Sequence, residues 1–127
     1  MDPRKLTFYA YKKCSTCQKA MKWLKENDLT FEERDIYEFP PESKFFYHWV
    51  EEQKVPVKKF LNSSGQKYRD FKMKERLPRM TVDEVIALLS SHGKLVKRPI
   101  LTDGEHVLVG FREAEWNEAL LENEIDK

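Results

Sequence analysis

The sequence predicts an α/β domain built on a mixed sheet of about four strands. Residues 6–11 are rich in β-branched and aromatic side chains, which is typical of a buried strand, and a segment with helical spacing follows directly. Residues 29–37 return to an extended pattern, so a β-α-β order with parallel strands and a right-handed crossover is expected. Asp103-Gly104 then separates two strand-like stretches as a tight hairpin turn, and residues 113–121 form a last helix.

The whole chain, residues 1–127, is expected to be a single domain with a helical insert at about residues 42–92. Charged residues make up 35% of the sequence but balance to a net charge of +1, which argues against bulk binding to nucleic acid or to a membrane surface. The apolar runs are too short to span a bilayer, and the N-terminus has no apolar signal core. Two cysteines do not form a secreted disulfide framework. A soluble, cytoplasmic protein is therefore expected.

The insert is predicted to be mainly helical. Residues 42–53 carry an aromatic and aliphatic stripe at helical spacing, and core packing is the simplest interpretation of that stripe. Thr81 and Glu84 form a capping-box pattern that opens a second helix. Gly93 is expected to end this helix, because glycine is the usual residue at that position.

A basic cluster lies in the middle of the insert. It alternates with apolar anchors and consists of Lys67, Arg69, Lys72, Lys74 and Arg76. Two interpretations are open: an ordinary solvated face, or a docking surface for a partner.

The first predicted helix carries both cysteines of the chain. One apolar stripe at positions i, i+3, i+4 and i+7 contains Cys17, Ala20, Met21 and Leu24 and is expected to face the core. Ser15 or Thr16 is the expected N-cap residue, so Cys14 would lie at the positive end of the helix. The two thiols are then one helical turn apart, close enough to form a disulfide.

This placement predicts different chemistry for the two thiols. Unpaired backbone N–H groups at a helix N-terminus stabilise a thiolate, and Lys12 and Lys13 add positive charge there. Cys14 is therefore expected to be the exposed nucleophile with a lowered pKa. Cys17, which faces the core, is expected to be the resolving thiol. A strand, a Cys-x-x-Cys motif and a helix in this order are typical of a redox pair.

Two other interpretations of the cysteines are possible. Both could be inert buried residues, or the pair could supply half of a zinc site. Zinc needs about four ligands, and the remaining candidates, His48, His92 and His106, show no paired spacing. Redox chemistry is therefore favoured and no metal site is expected.

Three motifs together carry a resemblance to a known family. They are Tyr-x-x-Cys-x-x-Cys-x-Lys-Ala at residues 11–20, Lys-Arg-Pro-Ile at residues 97–100, and Val-Gly-Phe-Arg at residues 109–112. In this order, around a helical insert, they resemble the arsenate reductase (ArsC) family, which also includes the Spx-type transcriptional regulators. Asn-Ser-Ser-Gly at residues 62–65, followed by Tyr68-Arg69, is most similar to the YusI-like members. The resemblance covers nearly the whole chain and implies a thioredoxin-like (glutaredoxin-like) fold of the ArsC type.

The resemblance also implies roles for individual residues. Cys14 matches the family's nucleophilic cysteine, and Arg98 and Arg112 match two arginines that bind the oxyanion in the reductases. Pro99 matches a cis-proline that thioredoxin-like folds place beside the active thiol. The other residues expected to shape the site are Lys13, Ser15 and Thr16. Alternatively, Arg98 is an ordinary surface arginine and Arg112 is simply a charge at a helix start.

One difference from the family pattern bears on the substrate. Reductases of this type carry a further arginine where this chain has Asn62-Ser63-Ser64-Gly65. Three guanidinium groups hold a tetrahedral oxyanion better than two, because each presents a planar fork of donors. These reductases also typically use one cysteine and glutathione, whereas Cys17 supplies an internal resolving thiol. Weak or absent arsenate reduction is therefore expected.

Two functions from different classes follow. The first is a thiol oxidoreductase with no bound cofactor, recycled by thioredoxin or by glutathione and glutaredoxin, acting on arsenate, a protein disulfide or another electrophile. The second is an Spx-like redox-sensing regulator that binds the C-terminal domain of the RNA polymerase α subunit. Spx-type proteins present a glycine for that contact, and residues 51–57 contain none, which disfavours the second function. Neither function requires direct contact with nucleic acid or a membrane.

Overall fold

A computed structural model of the protein describes residues 1–122 and contains a mixed four-stranded sheet. The strands are Leu6–Ala10 (β1), Phe31–Asp35 (β2), Ile100–Thr102 (β3) and Val107–Val109 (β4), in the spatial order β2-β1-β3-β4. Strand β3 pairs antiparallel with both β1 and β4, with Phe8 opposite Leu101 and Leu101 opposite Leu108. The predicted α/β class with a mixed sheet is confirmed.

Six α-helices lie within the described residues. In chain order they are Ser15–Glu26 (α1), Ser43–Glu51 (α2), Gln66–Asp70 (α3), Met73–Arg76 (α4), Val82–Ser91 (α5) and Glu113–Asn117 (α6). Short 3-10 turns cover Val57–Phe60, Leu77–Arg79 and Gly93–Leu95, and α6 continues as a π-helix over Glu118–Glu122. No helix among residues 1–122 is long and apolar enough to cross a membrane.

The chain divides into two compact units, and the expectation of a single domain stays a prediction. One unit comprises residues 1–34 together with the chain from Arg98 onward, and the other comprises Asp35–Lys97. The sheet and the helix with the cysteines belong to the first unit, and helices α2 to α5 belong to the second.

Apolar side chains of β1, α1 and α6 form the core of the first unit. Phe8, Leu24 and Trp116 are fully buried in it, and Cys17 is part of the same cluster. The Trp116 ring lies edge-on to Trp23, with ring centroids 5.7 Å apart, and its indole N–H donates to the Gly110 carbonyl at 3.1 Å. The helical stripe that predicted a core-facing side of α1 therefore packs as the sequence indicated.

The second unit has its own aromatic core. Trp49 and Phe60 are fully buried and stacked, with centroids 5.7 Å apart, and Phe46 meets both rings edge-on. The predicted capping box is present: the Thr81 hydroxyl accepts from the Glu84 N–H, and the Glu84 carboxylate accepts from the Thr81 N–H. The core interpretation of the aromatic stripe in α2 is thus confirmed.

The hairpin turn is longer than the sequence suggested. Strand β3 ends at Thr102 and β4 begins at Val107, so four residues form the loop instead of two. The Asp103 carboxylate accepts backbone N–H bonds from Glu105 and His106 at 2.9 and 2.6 Å. These bonds satisfy the loop backbone in place of strand pairing, and within residues 103–106 only Gly104 has a positive φ, +98°.

The prediction that Gly93 ends α5 as a left-handed glycine is wrong. His92 is the residue that ends α5, and Gly93 does not adopt a left-handed conformation. Gly93 is buried instead, and a Cβ atom built on it would lie 1.9 Å from the Ile36 carbonyl oxygen. Glycine is required here because two backbone segments of the second unit approach each other closely.

Replacing Gly93 with alanine should destabilise the protein by more than about 2 kcal/mol, because the added methyl group meets a backbone carbonyl that cannot rotate away. Urea unfolding followed by circular dichroism measures the change. Gly65→Ala is the matched control: its Cβ would meet the mobile end of the Asn62 side chain at an ordinary φ of −84°, so it should cost less than about 1 kcal/mol. Equal losses in the two variants would contradict the close-approach argument.

Candidate functional site

The loop between β1 and α1 places Cys14 at the start of the helix. The Cys14 N–H donates to the Tyr11 carbonyl at 3.0 Å, which closes a turn over Lys12 and Lys13. The Gln18 side-chain amide reaches back to the Lys12 carbonyl at 2.8 Å and fixes this turn against the first turn of the helix. The short loop therefore has little freedom to move the Cys14 sulfur.

Cys14 itself is the N-cap residue, so the prediction of Ser15 or Thr16 at this position is wrong. Its backbone is extended, with φ −88° and ψ 118°, and its sulfur accepts the Cys17 N–H at 3.4 Å. The sulfur thus takes the place of the usual capping oxygen, and the residues after it already have helical geometry. A capping sulfur is held directly at the positive end of α1.

The two cysteines differ sharply in exposure. Both are free thiols; Cys14 is half-buried, whereas the side chain of Cys17 is 3% exposed. Cys17 is part of the core cluster of the first unit, and Cys14 packs against that cluster from its edge. A reagent in solution can therefore reach Cys14 far more easily than Cys17.

Arg98 brings a positive charge to the Cys14 sulfur. Its guanidinium carbon lies 5.8 Å from the centroid of the Tyr11 ring, in a cation–π arrangement, and its side chain hydrogen-bonds to Cys14. The next residue, Pro99, is buried and its peptide bond with Arg98 is cis, as the family resemblance implied. The Gly110 N–H donates to the Pro99 carbonyl at 2.8 Å, which ties this segment to the residue after β4.

These contacts move the two thiol pKa values in opposite directions. Partial burial of Cys14 raises its pKa, but the N–H and thiol of Cys17 and the charge of Arg98 outweigh this effect, so the net pKa is lowered. Burial raises the pKa of Cys17 to about 12, and the negative charge of Cys14 adds to that rise. Cys14 is therefore the more readily ionised of the two thiols, and Cys17 is a neutral thiol at neutral pH.

The remaining residues expected at the site are on the surface. Lys13, Ser15 and Thr16 are exposed, and the cation that acts on Cys14 is Arg98. Arg112 is the exposed N-cap residue of α6, and within residues 1–122 no hydrogen bond or ion pair joins its side chain to the cysteines. The geometry thus groups Arg98 with the thiol pair and leaves Arg112 apart from that hydrogen-bonded group.

Tyr11 is a residue of the site to which the sequence analysis assigned no role. Its carbonyl accepts from Cys14, its backbone hydrogen-bonds to the Cys17 thiol, and its ring faces Arg98. The available signal was its place at the head of the Tyr-x-x-Cys-x-x-Cys motif, three residues before Cys14. The cation–π contact could not be found from spacing, because Arg98 is 87 positions away.

A cleft of ≈ 220 Å³ opens beside the buried thiol. Its lining residues are Ala10, Tyr11, Lys12, Cys17, Gln18, Met21 and Glu33. Among residues 1–122, no three His, Cys, Asp or Glu side chains are grouped so that they could hold a metal ion.

Residues 9–119 match the sequence profile described as the ArsC family. The chain belongs to the ArsC family. A similar ArsC-family relative is the uncharacterized protein YusI of Bacillus subtilis, 48% identical over 113 residues, which cover 89% of this chain and 96% of YusI. The fold agrees with a crystal structure of an ArsC-family-related protein from Bacteroides fragilis: TM-score 0.85, 44% identity, and coverage of 92% of this chain and 98% of that one. The family, and with it the thioredoxin-like fold, is therefore established.

Transcriptional regulators are also among the ArsC-family relatives. The regulatory protein MgsR of Bacillus subtilis is 30% identical over 112 residues, which cover 88% of this chain and 87% of MgsR. Global regulators named Spx match at 24 to 27% identity. The ArsC family thus joins regulators and reductase-like proteins on one fold, and membership alone does not select between these functions.

Cys14 should be alkylated faster than Cys17 at pH 7, because it is both more accessible and more ionised. Iodoacetamide labelling followed by peptide mass spectrometry gives the two rates, and a difference of at least about tenfold is expected. A urea-unfolded sample serves as the control, in which the two rates should converge. Equal or reversed rates in the folded protein would contradict the assignment.

Arg98→Gln should raise the pKa of Cys14, since removal of the adjacent positive charge disfavours the thiolate. The alkylation rate of Cys14 at pH 7 should fall by roughly three- to tenfold, and its pH profile should move to higher pH. Lys13→Gln is the matched control, because it removes a charge that is exposed and screened by water. A similar change in both variants would show that Arg98 has no special role.

Proposed function

We propose that the protein is a thiol–disulfide redox enzyme in which Cys14 is the nucleophile and Cys17 the resolving thiol. The observation that carries the proposal is that the pKa values of two thiols one helical turn apart are shifted in opposite directions. Cys14 accepts the Cys17 N–H at 3.4 Å and faces Arg98, whereas Cys17 is buried with a pKa of about 12. A low-pKa nucleophile paired with a neutral, shielded thiol is the arrangement that a two-step exchange needs.

In the first step, the Cys14 thiolate attacks one sulfur of a disulfide substrate. A new bond forms between the Cys14 sulfur and that sulfur, the substrate S–S bond breaks, and the other substrate sulfur leaves as a thiolate. The contacts from the Cys17 N–H and Arg98 stabilise the ionised form of Cys14, which is the form that attacks. The leaving thiolate takes a proton from solvent.

In the second step, Cys17 loses its proton and attacks the Cys14 sulfur. The bond between Cys14 and the substrate breaks, an intramolecular disulfide forms, and the remaining substrate half leaves as a thiolate that accepts the proton. The thiolate charge of Cys14 raises the pKa of Cys17 in the resting pair, and this charge disappears once Cys14 is in a mixed disulfide. Cys17 therefore becomes easier to ionise at the stage at which it has to react.

The Cys14–Cys17 disulfide has to be reduced before the next cycle. Thioredoxin, or glutathione with glutaredoxin, supplies two electrons by thiol exchange, so no bound cofactor is needed. The substrate class that fits is a protein or small-molecule disulfide, or another small electrophile. Cys14 is half-buried at the edge of the core cluster, so a substrate can reach its sulfur only from that edge.

A second candidate function is a redox-sensing regulator, and the similarity to MgsR favours it. In that case the same disulfide would be a switch, and the partner would be the α subunit of RNA polymerase. Residues 51–57 contain no glycine for the contact that Spx-type proteins use. A pull-down of the reduced and oxidised protein with the polymerase α C-terminal domain separates the two functions.

The Cys17→Ser variant should accumulate a mixed disulfide on Cys14 when it is treated with glutathione disulfide, because the resolving thiol is missing. The wild-type protein should instead end as an intramolecular Cys14–Cys17 disulfide. Intact-mass spectrometry distinguishes the products, and Cys14→Ser is the control that should form no adduct. Rapid loss of the adduct from Cys17→Ser, or a covalent dimer as the main wild-type product, would refute the mechanism.

Arsenate turnover should be slow. The stretch at residues 62–65 supplies no cation, and the guanidinium of Arg69 beside it already donates to the Ser64 carbonyl at 3.2 Å and to Gln66 at 2.9 Å. A missing charge-assisted hydrogen bond is worth about 1.5–3 kcal/mol, which lowers kcat/KM by roughly 10- to 100-fold.

The measurement is arsenate-dependent NADPH oxidation with thioredoxin and with glutathione–glutaredoxin, beside a dedicated arsenate reductase. Ser64→Arg restores a guanidinium to the stretch and should raise the rate. Turnover by the unmodified protein as fast as by the dedicated enzyme would show that the missing arginine does not matter.

A further inference from the structure

The second unit concentrates positive charge in one segment. Residues 54–80 contain nine lysines and arginines and two acidic residues, a net charge of +7 in a chain whose total is +1. Within residues 1–122, none of these nine cations is in a salt bridge. The positive charge of residues 54–80 is therefore solvated or available to a binding partner.

Some of the cations have contacts within the segment. The Arg69 guanidinium bonds to Ser64 and Gln66, the Arg76 guanidinium donates to the Phe71 carbonyl at 3.1 Å, and the Lys67 ammonium lies 5.6 Å from the centroid of the Phe71 ring. Lys58 and Lys74 are different: both are exposed, and both line a cleft.

This cleft has apolar walls and a volume of ≈ 360 Å³. Besides Lys58 and Lys74, it is lined by Val57, Tyr68, Leu77, Pro78, Met80, Val82 and Val85. Val82 is 44% exposed and is one of two large hydrophobic side chains on the surface of the described chain. The volume is near the lower end of the range for ligand sites, roughly 300–1,000 Å³, which suits one or two anchoring side chains.

Two carboxylates next to the cleft lining in sequence already accept hydrogen bonds, and Glu75, beside Lys74, forms no salt bridge within residues 1–122. Asp83 accepts the Tyr47 hydroxyl at 2.8 Å, and Glu84 accepts the Thr81 N–H at 2.9 Å in the capping box. Within residues 1–122, no carboxylate forms a salt bridge with Lys58 or Lys74. An ordinary solvated face explains exposed lysines, but it does not explain an open apolar cleft with lysines in its lining.

We propose that this cleft binds an acidic segment of a partner protein, with an aliphatic side chain inserted between Val82 and the other apolar walls and carboxylates placed at Lys58 and Lys74. Complementary charge would steer the encounter, and the buried side chain would hold it. The proposal is independent of the redox function. Nucleic acid fits less well, because Tyr68 is the one aromatic ring in the lining and single strands depend on stacking platforms.

The test is fluorescence polarisation of the full chain with a labelled peptide, Asp-Glu-Leu-Asp-Asp-Ile-Glu-Asp. Three other probes run in parallel: the same peptide with serine for leucine and isoleucine, a version with lysine for every acidic residue, and a labelled oligothymidine. The acidic, apolar peptide should bind most tightly. Its affinity should fall at least about tenfold in Lys58→Glu/Lys74→Glu and at least about threefold in Val82→Ser.

Lys19→Glu/Lys25→Glu is the matched control, since it makes the same charge change at exposed positions of α1 in the other unit and should leave binding unchanged. Binding should also weaken when salt is raised from about 0.05 M to about 0.3 M. Absence of binding, tighter binding of oligothymidine, equal binding of the serine peptide, or equal losses in the two double variants would each overturn the proposal. Thermal melts confirm that every variant is folded.

Discussion

The hydrogen bond from the Cys17 N–H to the Cys14 sulfur is the interaction on which the site depends. It makes Cys14 the N-cap of α1, so the same 3.4 Å contact ends the loop, starts α1 and stabilises negative charge on the sulfur. Any reaction that takes the thiolate charge from Cys14 also weakens this cap. Chemistry at the sulfur and the local stability of the first helical turn are therefore linked.

The second constraint is the difference in environment along one turn of α1. Cys17 shares the core cluster with Phe8, Leu24 and Trp116, and this apolar packing raises its pKa to about 12. The Cys14 sulfur, three residues earlier, meets the Cys17 N–H and Arg98 instead. A helix with one face in the core and its end at the surface produces two different thiols from identical side chains.

In the first unit of this ArsC-family chain one arginine lies close to the Cys14 sulfur, whereas the second unit has exposed lysines in the lining of a cleft. In the first unit, Arg98 lies against the Tyr11 ring and acts on Cys14. In the second, Lys58 and Lys74 line an apolar cleft and have no salt bridge within residues 1–122. The first arrangement suits catalysis, which needs fixed charge, and the second suits recognition, which exploits charge that a partner can neutralise.

The sequence by itself determined the α/β class, the core-facing stripe of α1, the capping box at Thr81 and the candidate redox pair, because each depends on residues within about one or two helical turns of each other. It could not determine that Cys14 is the cap, that Gly93 is needed for a close backbone approach, or that the hairpin loop has four residues. The family resemblance pointed to Arg98, but the sequence could not place the Tyr11 ring against Arg98 or show the apolar cleft among the lysines. These features were decided by the tertiary structure, because they depend on contacts between distant segments or on which atom satisfies a backbone N–H, and spacing along the chain contains neither.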